Sequence, residues 1–244
     1  MIKSIKYLIL ISIIVSCDRN NNEPESLTSL LRPNFEFSQD LFDCNLNENI
    51  STLRLETFFS NFLTNTDFNS QSIDLKILFP INSDEINNFI LMFSSDKKAV
   101  DVANFISSLQ SSNFNNLAYC KYAINQNDGI NAVNNLDFDD YDSLIVEILK
   151  CSYAEGYNFG SFKISLERFF SEIKNLKIKY SAQLVEETFN KSNFIWINYF
   201  ADENYKDNIS QVWTESMLSL DIQKEFQANA LCFESRSYKA FTLI

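Results

Sequence analysis

Two stretches of this 244-residue chain carry the same landmarks in the same order. Cys44 is followed by Glu48 and then by Leu55-Glu56-Thr57-Phe58-Phe59-Ser60. Cys151 is followed by Glu155 and then by Leu166-Glu167-Arg168-Phe169-Phe170-Ser171. Asn88-Phe89-Ile90 returns as Asn193-Phe194-Ile195, and each stretch closes on a cysteine in a short apolar segment, Cys120 and Cys232. One such match is chance in a chain this rich in Phe and Asn; four in register argue for duplication.

The second copy is easier to read. Residues 144–153 (LIVEILKCSY) form an apolar run that predicts a strand. Residues 159–176 place Phe162, Leu166, Phe169, Phe170 and Ile173 at helical spacing. Residues 179–185 and 194–200 (FIWINYF) are the next strands, the latter aromatic and β-branched. Residues 205–220 put Ile209, Val212, Trp213 and Met217 on one helical face, and a last strand begins at Ala230. The first copy gives the same series: strand 41–46, helix 52–63, strands 73–79 and 89–93, helix 99–109, strand 117–123. Each half reads β-α-β-β-α-β, the ferredoxin-like arrangement, so the expected class is α+β.

The first seventeen residues, MIKSIKYLILISIIVSC, join two lysines to an apolar run too short to span a bilayer comfortably. Ile14-Val15-Ser16-Cys17 resembles the signal box of bacterial lipoproteins. That resemblance implies cleavage of residues 1–16, acyl chains on Cys17, a stable membrane anchor and a periplasm-facing protein. Asp18 after the cysteine implies inner-membrane retention where the enteric sorting rule applies. Residues 17–35 then read as a polar tether, 36–124 and 143–244 as the two repeats, and 125–142 as a solvated acidic linker. Asp137, Asp139, Asp140 and Asp142 in that linker lack the Gly and Glu offsets of a calcium loop.

Four cysteines remain, an even number suited to an oxidising compartment. They allow three connectivities. In the ferredoxin-like order the first and last strands of each half are antiparallel neighbours, and each carries one cysteine. This selects Cys44–Cys120 and Cys151–Cys232. Two such halves in one chain resemble the dimeric α+β barrel superfamily, which includes the antibiotic-biosynthesis-monooxygenase-like proteins. The resemblance spans residues from about 36 to 244 and implies two packed sheets with a small-ligand cavity between sheet and helices. The chain departs from it in lacking the histidine that several of those enzymes use.

The absence of His removes histidine bases, His triads and His-ligated metals. Three glycines cannot build a Rossmann fingerprint or a P-loop. With 20 basic against 32 acidic residues, no nucleic-acid partner is expected. Neither a cofactor nor a metal site is indicated. No CxxC is present.

Tyr153, Glu155 and Tyr157 sit where the first strand of the second half turns toward its helix, a place where function gathers. Glu155 is the candidate acid/base group; the plainer reading is a carboxylate complementing a helix start. Trp196 and Asn198 share a strand face with Phe194 and Phe200, so Asn198 is a polar group among aromatics, as in a small-molecule pocket. The matching strand of the first half, FILMF, has neither, which places any site in the second half. Three functions fit: a lipid-tethered binder of a small apolar molecule, a cofactor-independent enzyme of the same fold, or an interaction lipoprotein with a filled core.

Overall fold

The computed structural model describes residues 34–65, 73–81, 87–96, 102–122 and 127–243. The signal segment, Cys17, Asp18 and most of the tether lie outside them, as do residues 123–126 at the junction of the expected first repeat and linker. No helix among the described residues is long and apolar enough to cross a membrane.

The first half runs β1 (Phe37–Leu46), α1 (Thr52–Asn65), β2 (Ile73–Pro80), β3 (Asn88–Asp96), α2 (Val102–Ser111) and β4 (Ala118–Lys121). After β5 (Asn127–Asn134), the second half runs β6 (Leu144–Tyr153), α3 (Phe159–Asn175), β7 (Ser181–Glu186), β8 (Asn193–Phe200), α4 (Glu203–Glu215), α5 (Ser219–Asn229) and β9 (Ala230–Thr242). Pairing is antiparallel throughout, in the order β3-β2-β9-β6-β8-β7-β5-β1-β4, and β3 also pairs with β1. The strands β1-β3-β2-β9-β6-β8-β7-β5 therefore close into a ring, with β4 flanking β1. This is the expected α+β barrel of two ferredoxin-like repeats.

Closure depends on long strands at the ends of each half. β9 pairs with β6 along Ala230 to Ala240 and then with β2 from Tyr238 to Thr242. Its counterpart is split: β4 pairs with β1, and β5 continues onto β1 and β7. Residues 127–134 are thus a strand of the barrel and not solvated linker. Backbone pairing with β1 and β7, rather than an apolar pattern, makes these polar residues extended. Gly129 sits there because a Cβ would meet the Phe37 ring at 2.3 Å.

Burial falls into three layers. Phe42, Leu55, Phe59, Phe89, Phe105 and their neighbours fill the space between the first half's sheet and α1/α2. Val146, Ile197, Tyr199, Met92 and Ala240 lie between the two sheets. Leu166, Ile173, Tyr180, Phe194 and Trp196 lie between the second sheet and its helices. A strand such as β8, covered on both faces, has no reason to alternate, and its FIWINYF run does not. Both predicted disulfides are present, Cys44–Cys120 and Cys151–Cys232, each joining residues in direct register.

The second-half helix expected over 205–220 ends at Glu215, because Ser216 adopts extended dihedrals, φ −68 and ψ 134. A separate helix, α5, follows that the apolar spacing did not show. Met217 is consequently not on an inward face: it is 95% exposed, and Val212 is also exposed.

Candidate functional site

Beneath α3, α4 and α5 the second sheet leaves a cavity of about 290 Å3. Its walls are mostly rings: Phe162, Phe169, Phe194, Trp196, Phe200 and Trp213, closed by Phe226 from α5. Trp213 meets Phe169 edge-on with centroids 5.0 Å apart, a favourable quadrupole arrangement. In the first half the space beneath α2 is packed, with Val102, Phe105, Ile106 and Leu109 all buried. In α4, the corresponding helix, no residue is buried, and Ile209, Ser210 and Trp213 border the cavity.

The polar floor is a connected network. Asn198 Oδ1 accepts from the Tyr180 hydroxyl and from Trp196 Nε1. Asn198 Nδ2 donates to Glu147 Oε2 at 3.0 Å. Glu147 Oε1 in turn accepts from Lys206 Nζ at 3.1 Å and Ser235 Oγ at 3.2 Å, and Lys206 also reaches Ser237 Oγ at 3.2 Å. Register explains the cluster: Glu147 pairs with Asn198 on one side and Ser237 on the other, so all three project toward the helices. Burial pushes the Tyr180 hydroxyl far above the ordinary tyrosine range; the Trp196 hydrogen bond pulls it down less, and the Glu147 charge adds to the rise. It is a neutral phenol at physiological pH, its proton given to Asn198 and its lone pairs left as acceptors.

Of the sequence-predicted site residues, Trp196 and Asn198 line the cavity together. Tyr153 is buried nearby, packed on Phe194 with centroids 4.7 Å apart, and its hydroxyl has no hydrogen-bond partner. Glu155 and Tyr157 are exposed on the β6–α3 turn and do not border the cavity. Glu155 does not start the helix either: Asn158 caps α3 in a box with Ser161, three residues further on. Sequence reasoning missed Tyr180, Glu147 and Lys206. For Glu147 a signal existed, an acid inside the apolar run LIVEILKCSY. Nothing local marks Tyr180 or Lys206.

The fold is that of a dimeric α+β barrel. No protein-family profile and no curated protein matches the sequence. Solved structures do match, by shape. A protein from Fusobacterium nucleatum, provisionally assigned as a monooxygenase, is 9% identical with a TM-score of 0.58, over 86% of this chain and 94% of its own. Chlorite dismutase from Candidatus Nitrospira defluvii, in complex with imidazole, is 10% identical with a TM-score of 0.54, over 88% and 95%. A heme-binding protein from Thermus thermophilus is 6% identical with a TM-score of 0.50, over 84% and 91%. At these identities the likeness is one of fold.

The cavity does not suit a haem. Axial ligands are His, Cys thiolate, Met or Tyr. The chain has no His, and Cys232 at the wall is in a disulfide. Met92 lies in the inter-sheet layer and Met217 is exposed outside. Tyr180 would have to lose a proton that burial and Asn198 retain.

Proposed function

We propose that this protein is a lipid-tethered binder of a small, mostly apolar, ring-bearing molecule, anchored through Cys17 in the bacterial envelope and facing the periplasm. The cavity carries the reading: aromatic walls, a volume at the lower end for small-molecule pockets, and a floor whose hydrogen bonds are already made. A floor satisfied internally demands nothing charged of its occupant, and burying an unpaired charge there would be costly. The interaction lipoprotein with a filled core is disfavoured by the same cavity.

The chain's two tryptophans both line the cavity, so intrinsic fluorescence reports on it. Titration with 2-naphthol should quench that fluorescence saturably, and Ser210→Leu, which enlarges a side chain bordering the cavity, should weaken binding by about ten-fold. Linear quenching, unchanged in Ser210→Leu, would refute the reading.

One observation favours the second reading, a cofactor-independent enzyme. The Tyr180 hydroxyl is held as a neutral proton carrier in the cavity floor, and fold neighbours include provisionally assigned monooxygenases. Tyr180→Phe separates the two: a binder keeps its ligand, whereas an enzyme keeps affinity and loses turnover.

A further inference from the structure

The two disulfides are not equivalent. Cys44 and Cys120 are each 4% exposed, and Cys151 is fully buried. Cys232 is exposed and borders the cavity. Its sequence neighbours Leu231 and Phe233 are 67% and 62% exposed, so the start of β9 presents large apolar side chains next to this cysteine. The backbone differs too. Around Cys120 the register with β1 is regular, whereas next to Cys232 it shifts: Cys151 faces Cys232 and Lys150 faces Glu234, so Phe233 is an extra, bulged residue. β9 meets β2 only from Tyr238 onward, and among the described residues no strand pairs with the other edge of 231–233.

We propose that Cys151–Cys232 is a thiol–disulfide exchange site, presented on the start of β9 to a protein dithiol of the thioredoxin type. Exchange requires a thiolate to reach one sulfur in line, and access ranks sites that are chemically alike. A thiolate of the partner attacks Cys232 Sγ, the bond to Cys151 Sγ breaks, and Cys151 takes up a proton as it leaves. The partner's second thiol then attacks the mixed disulfide and releases Cys232. Two electrons and two protons pass from the dithiol to this protein, and the partner ends as a disulfide. Leu231 and Phe233 supply apolar area beside the reacting sulfur, which a small-molecule dithiol does not use but a protein surface does. This assignment stands whether or not the cavity binds a ligand.

The test treats the oxidised full chain with reduced thioredoxin or with dithiothreitol, alkylates at intervals, and follows each cysteine by peptide mass spectrometry. Cys151 and Cys232 should become labelled together, about ten-fold or more ahead of Cys44 and Cys120, with either reagent. The double variant Leu231→Ser/Phe233→Ser should slow thioredoxin by about ten-fold and leave the dithiothreitol rate unchanged. Equal rates for the two bridges, earlier opening of Cys44–Cys120, or no opening before the protein unfolds would each overturn the proposal. A double variant that leaves the thioredoxin rate intact, or slows both reagents alike, would do the same.

Discussion

Asn198 holds three side chains in place at once. Replacing it by Ala leaves the Tyr180 hydroxyl, Trp196 Nε1 and one Glu147 oxygen without their partners. Each buried orphan costs about 1–3 kcal/mol, so Asn198→Ala should lose about 3 kcal/mol or more in urea unfolding. A loss below about 1 kcal/mol would mean that water replaces the amide. The tyrosines set a second test. Burial pushes Tyr153, Tyr180 and Tyr199 well above the ordinary value of 10.0, with the Glu186, Glu147 and Asp74 charges adding to the rise. Tyr122 is pushed up to about 12 by burial. The folded state therefore holds these protons more tightly than the unfolded chain. The stability they confer is complete below the unfolded value near 10.0 and drains away as the pH rises above it toward the folded values. Each fully buried tyrosine steepens the loss by about 1.4 kcal/mol per pH unit. The urea midpoint should be level up to about pH 9 and fall clearly by about pH 11. A level midpoint throughout would show that these hydroxyls ionise within the fold.

At the scale of elements, the asymmetry between α2 and α4 matters most. α2 buries four side chains; α4 buries none and rests over the cavity. Its N-terminal end is held by the Asp202 cap and by Lys206 on Glu147, and Ser216, just beyond its C-terminal end, donates to Glu172 of α3 at 2.5 Å. With anchored ends and no fully buried residue between them, α4 should exchange its amide hydrogens well before α3, and a bound ligand should slow that exchange. Uniform protection across α3 and α4 would contradict this. α5 behaves oppositely, since Ile222 is fully buried. Ile222→Ala should cost about 3 kcal/mol, whereas Val212→Ala on the exposed side of α4 should stay within about 0.5 kcal/mol.

At the scale of the molecule, barrel closure and the disulfides divide the work. Each bridge ties the first strand of a half to its last, across 76 and 81 residues of sequence. In the chain-entropy model, removing the buried Cys44–Cys120 pair should cost about 4 kcal/mol in denaturant unfolding. A cost near zero would place residual structure in the unfolded chain that already holds those strands together. Much of this architecture was legible beforehand because its signals are local or repeated. The repeat disclosed two like halves, apolar runs such as LIVEILKCSY disclosed the strands, and the cysteines fell on neighbouring strands once the order was known. β5 and α5 were not legible: polar residues 127–134 become a strand only through partners far away in sequence, and α5 is set by a break at Ser216 that no spacing rule marks. The same division holds for the site. Trp196 and Asn198 could be placed on one strand face because a strand alternates with period two. Their partners Tyr180, Glu147 and Lys206 come from three other segments, and which of them meet depends on inter-strand register and on how α4 lies across the sheet. Alternation and duplication are properties of the covalent chain. A cavity is what remains after packing, and only the packed structure decides that the second half keeps one where the first fills it with Phe105 and its neighbours.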